Sequence, residues 1–164
     1  MHDGVTPKGK VKVSVIRADG KVELVQNPES PDGTWPNLFT SAGMDYLAVF
    51  QTTAPGSVMN HMLVGTISTA ATLTDVVGSM GEVARVSMAT RTTPSSNNVL
   101  TEVATFGGTA NGITSVSIRE VGVVNDARSG PFGTLRARAI HASTVLANSD
   151  FVRYEWATSV GSRA

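Results

Sequence analysis

Three histidines, His2, His61 and His141, are the only imidazoles in the chain, and cysteine is absent. Without thiolates there is no cysteine nucleophile, disulfide framework, thiolate zinc site or iron–sulfur ligation. None of the histidines has a second histidine at ligand spacing, so a metal site would have to gather them with Asp or Glu from distant segments. Serine is abundant, but no Gly-x-Ser-x-Gly elbow raises one into a nucleophile. No pair of carboxylates stands apart from the turn residues, which leaves glycoside hydrolysis without its acid and base. Gly4-x-x-x-x-Gly9-Lys10 matches the opening of a phosphate-binding loop. Val11 then occupies the place of the Mg²⁺-holding Ser or Thr, Pro7 interrupts the run, and no strand precedes it. The residues therefore predict no enzyme and no cofactor.

Aromatic residues offer a second kind of chemistry. Tyr154 and Trp156 share one face of the last apolar alternation with Val152 and Val160. A stacking platform for a sugar or a base needs such a pair, whereas the two valines point to core. Trp35 lies among Pro28, Pro31, Gly33 and Pro36 and is expected at the surface, where it would serve as an anchor against a neighbouring subunit.

The elements that would position these residues are mostly strands. Only 16 % of the residues are charged, and Val, Thr, Ser, Ala and Gly outnumber the straight-chain helix formers. Lys10 to Arg17 alternates and turns back through Ala18-Asp19-Gly20, where Asp-Gly supplies the positive φ of a tight hairpin. The prolines of 27–37 predict a loop. Thr40 to Gln51 carries the one helical stripe, with Thr40 or Ser41 as its cap and Pro55-Gly56 beyond it. Strands follow at 62–66, 82–92, 99–106, 113–124, 134–142 and 151–160. A loop with one helical turn near 73–77 precedes the second, and a turn cluster at 93–98 the third. That makes eight strands and one helix near 40–51, an all-β antiparallel sandwich, jelly-roll-like, with its last four strands as a meander. The expected organisation is a flexible arm over 1–9, one domain over 10–160 and a tail over 161–164.

The length of 164 residues suits a single core, and 13 basic residues balance 13 acidic ones, unlike the basic excess of a general nucleic-acid binder. No apolar run reaches the ~20 residues of a membrane span, and the N-terminus shows no secretory h-region. The predicted outer faces carry Arg85, Arg91, Arg119, Arg136, Arg138 and Arg153 beside Glu82, Glu102, Glu120 and Glu155. Two readings stay open for them, a solvated face with cross-strand charge pairs and an arginine-bearing subunit interface. All four lysines (Lys8, Lys10, Lys12 and Lys21) fall in the first 21 residues. Lys8, Lys10, Lys12, Trp35, Arg136 and Arg138 are therefore the candidate interface residues, and residues 1–12 are expected to contact a neighbour without being needed for folding.

Several short stretches occur in an order that resembles small structural proteins of tailed bacteriophages and the N-terminal region of some tail-fibre and collar-fibre proteins. They are Asn37-Leu38-Phe39-Thr40-Ser41-Ala42-Gly43 before the helix, Leu63-Val64-Gly65-Thr66, Thr72-Leu73-Thr74-Asp75 and Glu82-Val83-Ala84-Arg85. Thr105-Phe106 and Ile118-Arg119-Glu120-Val121-Gly122 extend the likeness, so that it spans about 10–160. The resemblance implies a virion component, assembled in the host cytoplasm, that oligomerises and docks on portal, adaptor, tail or major capsid proteins. Within that frame a neck or tail fibre, collar or fibre-adaptor subunit stands first and an outer capsid decoration protein second. A carbohydrate-binding module using Trp35 or Tyr154 and Trp156, on a host-surface glycan, is the reading from a different class.

Overall fold

The computed structural model describes residues 8–52, 58–92 and 99–159, without the side chains of Lys8 and of 47–52. Expectations that fall on Met1 to Pro7, Pro55-Gly56, the 93–98 turn cluster, Val160 and the tail lie outside the described residues. So does His2.

The fold is all-β and antiparallel, as the composition requires, but it has ten strands where eight were expected. In chain order they are β1 (Lys8–Ile16), β2 (Val22–Leu24), β3 (Trp35–Phe39), β4 (His61–Gly65), β5 (Glu82–Ser87), β6 (Thr90–Thr92), β7 (Val99–Gly107), β8 (Ser117–Val124), β9 (Leu135–Val145) and β10 (Phe151–Ser159). One helix, α1 (Ser41–Thr52), follows β3, and a single 3-10 turn covers Val77–Ser79. No helix among the described residues is long and apolar enough to cross a membrane.

The strands form one curled sheet in the order β5-β4-β8-β9-β3-β1-β10-β7-β6, with β2 added beside β1. The expected meander of the last four strands is not present. β7 pairs with β10, β8 with β4 and β9, and β10 with β1. Local alternation marks where strands lie but carries no record of their long-range partners, which are chosen by the shape of the core. Two further expectations are corrected. The proline-rich stretch ends in a strand, because Pro36 sits where β1 and β3 begin to separate and the ladder needs little from it. The run 82–92 is two strands, broken at a corner where the Met88 N–H donates to Asn60 O and the Ala89 N–H to Val103 O. That one segment therefore supplies both ends of the strand order.

Curling brings two halves face to face. One half contains β1, β2, β6, β7 and β10, the other β4, β5, β8 and β9, and β3 joins them. Val11, Val13, Val15, Phe106, Val152, Tyr154 and Trp156 meet Met62, Val64, Ile118, Val121, Val123, Ala137 and Ala139 in the main core. Tyr154 and Trp156 are fully buried there. A smaller cluster of Leu63, Val77, Met80, Val124 and Leu135 lies on the other side of the second half. The expected hairpin is present, with Ser14 opposite Leu24 and Gly20 at φ +84° in its turn.

β1 is central in the sheet, and Val11 has no exposed surface. Residues 8–12 are therefore part of the fold, and the expectation that 1–12 is dispensable for folding is corrected. Helix α1 begins as its sequence predicts. The Thr40 hydroxyl caps it by accepting the Gly43 N–H at 3.0 Å while donating to Leu135 O. Gly43 has no side chain because the Arg136 backbone passes directly against its Cα, where a Cβ would collide with the Arg136 carbonyl.

Candidate interaction surface

The arginines expected on outer faces divide into two populations. Arg136 and Arg138 are 3 % and 2 % exposed, so neither is available to a partner, and both leave the candidate interface. Arg136 crosses the interior from β9 to β7. There its fork donates to both oxygens of Glu102, with Nη1 to Oε1 at 3.0 Å. Arg91 of β6 approaches the same carboxylate at 3.3 Å. The Arg136 guanidinium also stands 5.9 Å over the Phe39 ring. Arg138 leaves the opposite face of β9. It donates from Nε to Glu120 at 2.8 Å and from Nη1 to Asp75 at 2.7 Å.

Glu120 and Asp75 in turn hold the 66–81 loop. Glu120 Oε1 accepts the backbone N–H of Ile67 at 3.0 Å and of Gly81 at 2.9 Å, at the two ends of the loop. Asp75, in its middle, accepts the backbone N–H and the hydroxyl of Thr72. Burial pushes the Asp75 carboxyl up, but the Thr72 N–H, the Arg138 guanidinium and the Thr72 hydroxyl outweigh it and hold the group below its ordinary range. Arg85 works the same way on the 125–133 loop. It forms a fork with Glu82 at 3.0 and 2.7 Å and donates to the carbonyls of Asp126, Gly130 and Phe132. Together these loops cover the outer face of the β8 half. Thr40 and Gly43 supply the helix cap and the close approach, and Asp75 and the Glu82–Arg85 pair hold the loops.

The outer face of the β1 half is different. Lys10 and Lys12 project from it and are exposed, while Lys8 opens the strand opposite Ser159. Lys10 pairs with Asp32 at 2.5 Å. Hydrogen bonds from Lys10, Ser30 and Thr34 hold that carboxyl well below the usual range. The register then sets Lys12 beside Glu155, Ser14 between Leu24 and Arg153, and Ile16 between Val22 and Phe151. Val22, Leu24 and Phe151 are 59 %, 49 % and 43 % exposed. They make an apolar row that runs out to β2, which among the described residues pairs only with β1 and so presents an open edge. Alternation in the sequence assigns these residues to one face of a hairpin. What it lacks is the information that no loop among the described residues returns to cover them.

Trp35 is half-buried, not exposed as expected. Its indole N–H donates to Val25 O at 2.7 Å, and its ring packs edge-on to His141 at 6.4 Å. With Tyr154 and Trp156 enclosed in the core, neither offers a face to a sugar.

His61 and His141 are held in separate sets of contacts. His61 Nδ1 and Nε2 lie 2.6 Å from Asn60 Oδ1 and 3.1 Å from Ser87 Oγ. Burial, then Arg85, draws its pKa down. His141 places Nδ1 2.8 Å from Ala142 O and Nε2 3.1 Å from the Tyr154 hydroxyl. A carbonyl can only accept, so Nδ1 carries the proton and Tyr154 donates to Nε2. Burial brings this imidazole down to about 4 and pushes the Tyr154 hydroxyl up. Among the described residues no three His, Asp or Glu side chains are grouped to hold a metal ion.

Comparison of the chain with protein-family models, with curated proteins and with solved structures finds no match in any of the three.

Proposed function

We propose that this chain is a non-enzymatic docking domain of a tailed-phage virion, a neck or tail fibre, collar or fibre-adaptor subunit that assembles with copies of itself and with other virion proteins. The observation that carries the reading is the uncovered outer face of the β1 half. It presents a lysine-bearing strand, an apolar row and an open strand edge side by side. A contiguous apolar strip at a sheet edge is where a further strand or a flat partner surface gains both hydrogen bonds and buried area. The buried ionisable groups support the same reading, because Arg136 and Glu102 bind one another across the core while Arg138, Glu120 and Asp75 hold a loop.

Immunogold microscopy tests the proposal, with an antibody to this chain on phage particles purified from the host that carries the gene. Gold at the neck or tail is the expected result. Gold spread evenly over heads would move the protein to the capsid surface as a decoration subunit. Unlabelled particles, from cells in which the protein is plainly made, would overturn the virion reading.

A further inference from the structure

We infer that a second site, the cleft where β1 and β3 part, binds an extended peptide that carries an apolar side chain next to a basic one. The ladder between these strands ends at Lys10↔Pro36. Beyond it a cleft of about 700 Å³ opens between Gly9, Asn37, Leu38, Met44, Asp45 and Leu73. It adjoins the uncovered face at Lys10 but shares no lining residue with the apolar row of Val22, Leu24 and Phe151, and the inference does not depend on where in a particle the chain sits.

Three observations define the ligand. The Asn37 carboxamide is wedged against Gly9, where any Cβ would collide with it, and its Nδ2 and Oδ1 are both shielded from solvent without a hydrogen-bond partner. A buried carboxamide with no partner is costly, and a peptide group, with one N–H and one C=O, is its complement. Turning Asn37 out to such a group forfeits no hydrogen bond and gains two. The walls supply the second observation, because Pro36, Leu38, Phe39, Met44 and Leu73 are apolar and suit an aliphatic side chain. The third is charge. Lys10 on the rim is neutralised by Asp32, whereas Asp45 is exposed with no ion-pair partner among the described residues. The uncompensated charge at the rim is therefore negative, and the peptide that complements it is basic there.

A positional-scanning library of acetylated, amidated heptapeptides, panned on the immobilised protein, tests the inference. The expected selection is an apolar position beside Lys or Arg, with the Asn37 side-chain amide and the Gly9 and Gly43 amides shifting in the ¹⁵N–¹H spectrum when a selected peptide is added. Asn37→Leu should weaken that peptide by about tenfold or more, the loss of two hydrogen bonds of ordinary net strength. Its amide spectrum away from the cleft should match wild type, which separates lost binding from lost folding. Asp45→Lys should turn the selected position from basic to acidic. Arg153→Ala, on the other face, should leave selection unchanged. The inference is overturned if no sequence is enriched, if Asn37→Leu binds the selected peptide as tightly as wild type, or if Asp45→Lys selects the same basic sequences. Peptide binding without gold on particles would remove the virion reading alone.

Discussion

The two outer faces of the curled sheet are built from similar strands and finished in opposite ways. On the β8 half, Leu63, Val124 and Leu135 are covered by the 66–81 loop with Val77 and Met80, and buried carboxylates and guanidinium groups hold the loops in place. On the β1 half, Val22, Leu24 and Phe151 stay in water, Lys10–Asp32 and Lys21–Glu23 are exposed pairs, and Asp150, paired with Arg17 at the hairpin, is buried. A buried ion pair is a poor way to add stability, because desolvation offsets most of its attraction. It is a good way to fix one loop geometry, since a misplaced loop would strand a charge. The molecule has therefore invested polar specificity in closing one face and left the other open.

Breaking the closed face should have the largest effect. Arg138→Met leaves Glu120 and Asp75 buried without their cation, and the expected loss is about 3–5 kcal/mol in urea unfolding. The amides of Ile67 and Gly81 should also lose protection from hydrogen exchange, because Glu120 no longer holds them. A loss within about 0.5 kcal/mol, the size of an ordinary surface substitution, would mean that the loop packs without the network.

Acid probes the core between the faces. His141 is neutral in the fold down to about pH 4 and titrates near 6.5 when unfolded. Between those values the unfolded chain binds the extra proton, so stability is full above pH 6.5 and falls as the pH drops toward 4. The expected loss is of order 3 kcal/mol across that window. Asp75 adds to it lower down, since a carboxyl held below its ordinary range loses its contribution as pH falls through the folded value. Thermal unfolding at a series of pH values measures the slope, and His141→Gln should flatten it.

A smaller effect is expected where helix α1 crosses β9. Gly43→Ala puts a methyl group into the Arg136 carbonyl, and overpacking of this kind costs about 1–3 kcal/mol. The smallest effect on folding belongs to the open face. Leu24→Thr combined with Phe151→Thr should change stability by no more than about 0.5 kcal/mol per site, yet reduce self-association in sedimentation velocity and incorporation into particles. A double variant that unfolds would place these side chains in the core economy of the domain and erase the contrast between the faces.

Much of this architecture was legible in the sequence, and the failures have physical causes. The hairpin at Asp19-Gly20, the helix capped by Thr40 and the burial of Tyr154 and Trp156 follow from turn chemistry, capping and alternation. Arg136 was misplaced because the β8–β9 register shifts there, pairing Val123 with Ala137 and Val124 with Leu135 and breaking the alternation, and Arg138 because alternation does not tell which face of β9 is wet. Leu135 to Ala139 are buried on both sides, one by the core and one by loops. The signal available was the supply of polar partners, as Asp75 lies alone among uncharged residues. β3 was hidden by Pro36, whose missing N–H matters little where a ladder is ending. The cleft was invisible for the same reason, because it exists only where two strands distant in sequence diverge.

The position of β1 has a consequence for how the molecule forms. It lies between β3 and β10, so its longest partner is the last strand of the described chain, and Lys8 waits for Ser159. Loop closure over so long a separation is slow. During synthesis Val11, Val13 and Val15 emerge long before β10 and remain without it until almost the whole domain has been made. An unpaired apolar strand of that kind invites wrong partners. The lysines at positions 8, 10 and 12, alternating with the small or apolar residues between them, then have a role before the fold exists: they keep β1 soluble and self-repelling until its partner arrives.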